Sequence, residues 1–162
     1  MIQIKVPATS ANLGSGFDAL GLALTLYNRV WMEESDVIDI TTKDDIKVPT
    51  DENNLIYWAA KRLYEECGKK LPGLKIIQEN NIPMASGLGS SSACIVAGLL
   101  GANRLIGNPL NENDLINLAA AIEGHPDNTT PALSGGLVAS AVEGDRVYSV
   151  SVPVSDKIRF AA

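Results

Sequence analysis

Ile2, Ile4 and Val6 alternate with Gln3 and Lys5, a two-residue period that predicts a strand closed by Pro7. Residues 8–18 are small and polar and predict a long loop. Strands are predicted over residues 24–34 and 37–42, where β-branched and aromatic side chains gather. Asn53 or Asn54 then suits a helix N-cap, with the helix running to about residue 67. Leu55, Ala59 and Leu63 share one face of it, and Gly68 stops it. Residues 74–78 read as another strand.

Residues 90–106 are apolar nearly all round a helix, which predicts a buried one ended by Gly107 and Pro109. Asn111 with Asp114 has capping-box spacing, and Leu115, Leu118, Ala119 and Ile122 form the stripe of the helix that follows, up to Gly124. Residues 135–142 and 146–152 predict a hairpin turning near Gly144 and Asp145. Residues 158–162 look like the start of one more strand. A sequence that stops inside an apolar strand leaves an unpaired edge, so a truncated chain is expected.

The 162 residues make one domain by size, and 46% hydrophobic content suffices for a core. Aromatics are 5%, so that core rests on Leu, Ile, Val and Ala. The formal net charge of -6 argues against nucleic-acid and membrane-surface partners, since no basic field attracts phosphate polymers. Anions must instead be met by local backbone N–H groups, helix ends and a metal. Cys67 and Cys94 lack metal-ligand spacing and read as reduced thiols. Cys94 lies near a helix N-terminus, which lowers a thiol pKa, while burial opposes that. There is no signal-peptide pattern, and the apolar run over residues 93–100 is too short to span a bilayer, so a cytoplasmic protein is expected.

The string Pro83-Met84-Ala85-Ser86-Gly87-Leu88-Gly89-Ser90-Ser91-Ser92-Ala93 carries the strongest chemical signal. Its glycines allow close approach of a ligand, and its serines open the buried helix, whose first N–H groups have no intrahelical partner. The helix dipole adds positive potential, so the string suits a triphosphate. It is neither a Walker A loop nor a dinucleotide fingerprint, because the lysine of the one and the third glycine of the other are missing.

Two further clusters stand out. In residues 8–18, Asn12 and Asp18 sit among small residues; the stretch is either a solvated turn or a polar substrate pocket, with Asp18 facing an ammonium group. Glu123-Gly124-His125-Pro126-Asp127-Asn128 follows a helix stop and holds the chain's one histidine. One histidine with scattered carboxylates does not make a zinc site, whereas Glu123 suits magnesium. A C-cap and turn with a locally satisfied His125 is the other reading.

Together, residues 6–18, 83–93 and 123–128 resemble the GHMP kinase superfamily and, among its branches, the homoserine kinases. The resemblance implies an α+β fold: a GHMP kinase N-terminal domain over residues 1–162, with mixed β-sheets, helices packed on one side and a left-handed β-α-β unit at the nucleotide loop. It implies transfer of a phosphoryl group from ATP to the hydroxyl of L-homoserine, as in threonine biosynthesis, with Mg2+. The loop over residues 83–93 would wrap the phosphates, and Ser91 and Glu123 would hold the metal. Asn12 and Asp18 would bind the amino-acid part of the substrate, His125 would lie near it, and Asn128 would stand beside the reacting hydroxyl. An amide at 128 cannot take a proton, which implies catalysis by positioning and charge stabilisation. Members of the family are close to twice as long, which implies a second domain, absent here, whose arginines clamp the substrate carboxylate. A homodimer is also common among them. Thr129 and Thr130 depart from the small apolar residues usual before Pro131. The alternatives are another GHMP kinase, of the mevalonate pathway or of sugars, and a nucleotide-binding fragment without activity.

Overall fold

Strand β2 (Gly16–Glu34) organises the chain. In the computed structural model, which describes residues 1–160, β1 (Ile2–Leu13) runs antiparallel along one edge of β2 for its whole length. The other edge of β2 is shared. Its C-terminal end pairs with β4 (Leu74–Glu79), and Leu20, Gly21 and Leu22 pair with β5 (Leu137–Glu143). β3 (Asp39–Thr42) lies parallel to β4, and β6 (Arg146–Val152) closes the far side on β5. The six strands form one mixed sheet.

The register explains the core. Ile2, Met32, Ile76 and Ile40 fall in one cross-strand row, and Ile4, Val30 and Gln78 in the next. Met32, Ile76, Val30 and Ile4 are buried by helices. The opposite face carries charge paired at close range: Lys43 sits 3.4 Å over the Trp31 ring, Lys5 3.7 Å over Tyr27, and Arg29 meets Glu79 at 2.5 Å. That face is solvated, so the strands alternate.

Helix α1 (Leu55–Glu66) starts where Asn54 Oδ1 accepts from the Ile56 N–H at 3.0 Å. Helix α2 (Ser90–Leu105) packs on α1 and β1 and buries Ile95, Val96 and Leu99, each worth about 1.5–3 kcal/mol against exposure. Helix α3 (Glu112–Glu123) opens with the Asn111–Asp114 capping box and stops at Gly124, whose φ is 98°. After His125 the chain winds into the nine-residue α4 (Pro126–Ser134), which packs on β1, β2 and β5. No helix among the described residues is long and apolar enough to cross a membrane.

Three expectations need correction. β1 does not end at Pro7, and residues 8–18 are not a long loop: the strand continues to Leu13, and β2 begins at Gly16. Among the described residues β1 pairs only with β2, so Pro7 sits on an edge strand, where a missing N–H is tolerated. Helix α4 is not among the elements the sequence predicts; the sequence offers at most a turn near His125. Pro126 occupies its first turn, where the lost N–H costs nothing, but Pro131 inside it and four polar residues between them mask the helical pattern. Of the strand expected over residues 158–162, residues 158–160 are not in a strand, and residues 161–162 lie outside the described residues.

Candidate functional site

The phosphate-type loop leaves β4 through Ile82, whose N–H donates to Asn28 Oδ1 at 2.8 Å. Ala85, Gly87 and Gly89 all have positive φ, at 55°, 77° and 65°, so the backbone kinks at every second residue. Ser86 Oγ donates to Pro83 O at 2.8 Å, and the Leu88 carbonyl accepts from the Thr9 N–H at 3.1 Å. The loop is thereby tied to β1. Gly89 is the N-cap of α2 and supplies no side-chain cap, so the first N–H groups of the helix stay open for a ligand.

Thr9 is the meeting point. It is fully buried, and its Oγ1 donates to Asn128 Oδ1 at 2.7 Å. A β-carbon built on Gly89 would lie 2.0 Å from Thr9 Oγ1 and 3.2 Å from Asn128 Oδ1. The N-termini of α2 and α4 therefore converge on one threonine, which brings the loop and Asn128 into a single constellation. Packing of α4 on the sheet holds this arrangement: the Asp127 carbonyl rests against the α-carbon of Gly21 in β2.

Glu123, at the end of α3, accepts from Ser92 Oγ at 2.9 Å. Ser91, next to Ser92 on the first turn of α2, is exposed. The hydroxyl held on Glu123 is thus that of Ser92, which the sequence placed in the loop without this role. One carboxylate, neighbouring hydroxyls and phosphate oxygens are a donor set that magnesium accepts. Among the described residues no group of three or more His, Cys, Asp or Glu is placed to hold a metal by itself.

Asn12 and Asp18 come together at the β1–β2 hairpin, where the Asp18 N–H donates to Asn12 Oδ1 at 2.8 Å. Both have positive φ, 59° and 52°, a conformation asparagine and aspartate tolerate better than other side chains. Both are exposed. His125 is the N-cap residue of α4 but does not cap it with its ring; Nδ1 contacts Asp127 Oδ1 instead. Thr129 and Thr130 are fully buried, and Thr129 Oγ1 donates to Pro126 O at 3.5 Å. Thr9 and Asp127 are the site residues to which the sequence assigns no role, and for Ser92 it assigns phosphate binding but not the contact with Glu123. Thr9 and Asp127 lay inside the strings singled out, but nothing in one dimension showed which residues they face.

Burial and the nearby Glu123 charge push the Cys94 thiol up from about 9.0 to about 11, so burial outweighs the helix N-terminus. The neutral thiol is favoured in the folded state. Its stabilising contribution is full below about pH 9.0 and is lost as pH rises through about 11. At pH 8, iodoacetamide is expected to label Cys94 far more slowly in the native protein than in urea, as read by peptide mass mapping. Equal rates in the two conditions would overturn this.

Residues 54–136 match the GHMP kinases N terminal domain. Homoserine kinase of Caldicellulosiruptor bescii is 47% identical, over 99% of this chain and 53% of that protein. Homoserine kinase of Clostridium botulinum is 46% identical, over 100% of this chain and 54% of that protein. The chain spans about half the length of the curated relatives it matches. Among solved structures, homoserine kinase from Cytophaga hutchinsonii superposes with a TM-score of 0.80 at 36% identity, covering 94% of this chain and 52% of that one. A D-glycero-D-manno-heptose 1-phosphate kinase from Bacteriodes thetaiotaomicron superposes with a TM-score of 0.77 at 21% identity over 96% of this chain and 61% of that one, a likeness of fold alone.

Proposed function

The chain belongs to the GHMP kinase family, and on that premise we propose that it supplies the ATP-binding half of an enzyme that phosphorylates the hydroxyl of L-homoserine. The observation that carries this reading is the convergence at Thr9: an uncapped helix N-terminus for phosphate and Asn128 for the acceptor hydroxyl are held by one buried side chain. The loop over residues 83–93 wraps the triphosphate through its backbone N–H groups. Magnesium, held by Glu123 with Ser91, would screen the phosphate charge. Ser92 keeps the Glu123 carboxylate turned toward α2. Asn12 braces the hairpin so that the free carboxylate of Asp18 meets the substrate ammonium. His125 lies near the same substrate. Asn128 has no basic atom, so its part is to orient the hydroxyl, and the loose phosphoryl-transfer transition state needs little more.

The test is ADP release by the enzyme that carries this chain, with homoserine, mevalonate and a sugar as acceptors. Preference for homoserine is expected, and preference for a non-amino-acid alcohol would overturn the substrate. Asp18→Asn is expected to lower kcat/KM for homoserine about 10–150-fold, the equivalent of about 1.5–3 kcal/mol for a charged hydrogen bond. Exposure of Asn12 and Asp18 favours a second reading, in which this chain alone binds nucleotide without turnover. Calorimetry with Mg-ATP on the 162 residues, alongside the same assay, separates the two.

A further inference from the structure

Asp127 has no part in the functional reading above, yet its setting is the least ordinary in the site. Its side chain is fully buried. Oδ2 has no hydrogen-bond partner among the described residues. Oδ1 is shared between the His125 ring at Nδ1 and the Asn128 amide, whose Nδ2 donates at 3.5 Å. A carboxylate in the first turn of α4 suits the helix dipole, but an exposed one would serve as well. Burying a carboxylate with one oxygen unmatched is costly, and the fold gains nothing visible from it.

We propose that Asp127 is a positioning residue that fixes the donor and acceptor pattern of the site by holding the proton of neutral His125 on Nδ1. A carboxylate only accepts, so Nδ1 must donate and Nε2 is left as a bare acceptor. The imidazole is not spent on capping α4, and its side chain is 42% exposed, so Nε2 is available to a ligand. It also borders a cleft of about 240 Å³ with Asn117, Val142 and Val147. Asn128 is set from both ends. Thr9 occupies its Oδ1, which turns Nδ2 into the amide's working face. Asp127 thus presents an acceptor on His125 and a donor on Asn128. A hydroxyl, which donates one hydrogen bond and accepts others, complements that pair. Naming that hydroxyl as the one of homoserine rests on the proposed function; the tautomer does not.

His125 is the only histidine in the chain, so nitrogen-15 NMR of its imidazole is unambiguous. At about pH 8.5 the expected spectrum has a protonated Nδ1 and an unprotonated Nε2. Asp127→Asn is expected to shift the population toward the Nε2–H form. A native protein with its proton on Nε2, or an Asp127→Asn spectrum identical to the native one, would overturn the proposal. If the variant does not fold by circular dichroism, the native spectrum alone decides. In the turnover assay, Asp127→Asn is expected to lower kcat/KM for homoserine at least about 10-fold, the low end of what losing a carboxylate that orients an imidazole costs in metal sites and in hydrolase triads, with Mg-ATP affinity unchanged. An equal loss of nucleotide affinity would reduce Asp127 to a structural part and overturn the assignment. The expected spectra in an enzyme that does not turn over homoserine would support Asp127 and overturn homoserine as the substrate.

Discussion

Gly21→Ala is expected to destabilise the protein by about 3 kcal/mol, the upper end of ordinary overpacking costs. In a chain of this size that lowers Tm by roughly 6–12 °C. The added β-carbon would sit 1.7 Å from the Asp127 carbonyl oxygen and 2.8 Å from Pro131 Cγ. Neither neighbour is a flexible tip that can swing away. The carbonyl belongs to the first turn of α4, and Pro131 has no N–H with which to draw that oxygen back along the helix. Gly21 cannot retreat either, because it pairs with Ala11 on one side and Val138 on the other. Relief therefore requires α4 to lift, and His125, Asp127 and Asn128 lift with it. The control is Gly14→Ala. Gly14 has a φ of 59° but nothing within 4 Å of the new atom, so only the left-handed backbone penalty of about 1–2 kcal/mol applies. Thermal unfolding of the two variants side by side checks this. A Gly21→Ala protein as stable as the control would show that α4 does not rest on β2 as described.

Gly89→Ala acts on the site more than on the core. Its φ of 65° already costs an alanine about 1–2 kcal/mol, and the new atom would meet Thr9 Oγ1 at 2.0 Å. Thr9 can yield by rotating, but rotation breaks its hydrogen bond to Asn128, a loss of about 1 kcal/mol. The loop opens at the N-cap of α2, where phosphate is to bind. Mg-ATP affinity is expected to fall tenfold or more, one decade being about 1.4 kcal/mol. Thr9→Val separates the two effects: it frees Asn128 but leaves Gly89 in place, so nucleotide affinity should hold while acceptor turnover drops. Isothermal calorimetry and the ADP-release assay read the two quantities independently. Unchanged ATP binding in Gly89→Ala would remove the loop from the nucleotide site.

The elements most legible in the sequence are those whose signals are local. Asn54, Gly68, the Asn111–Asp114 pair and Gly124 mark helix ends by their own hydrogen bonding or φ, and each stands where the pattern put it. The hairpin at Gly144 was equally plain, since two runs of alternating residues flank a glycine with a φ of 60°. What failed to show depended on partners far along the chain. Residues 8–13 are small and polar, and they are a strand only because β2 lies beside them. Helix α4 carries two prolines and a polar run, and it is held by Gly21, more than a hundred residues earlier. The candidate site divides in the same way. The loop, Asn12, Asp18, Glu123, His125 and Asn128 were singled out by residue type. The contacts of Thr9 with Asn128 and of Ser92 with Glu123 span 119 and 31 positions, and no spacing rule reports them.

The shared edge of β2 has a consequence for biosynthesis. Leu22 is made early, but its partner Leu137 follows about 115 residues later. At about 5–20 residues per second, that part of the strand waits roughly 6–23 s beside the ribosome with its backbone donors and acceptors open. Leu20 and Leu22 flank the exposed stretch, a template to which other nascent chains can add. A ribosome stalled before residue 137 prolongs that hazard, whereas synthesis past residue 139 supplies the partner that closes Leu20, Gly21 and Leu22.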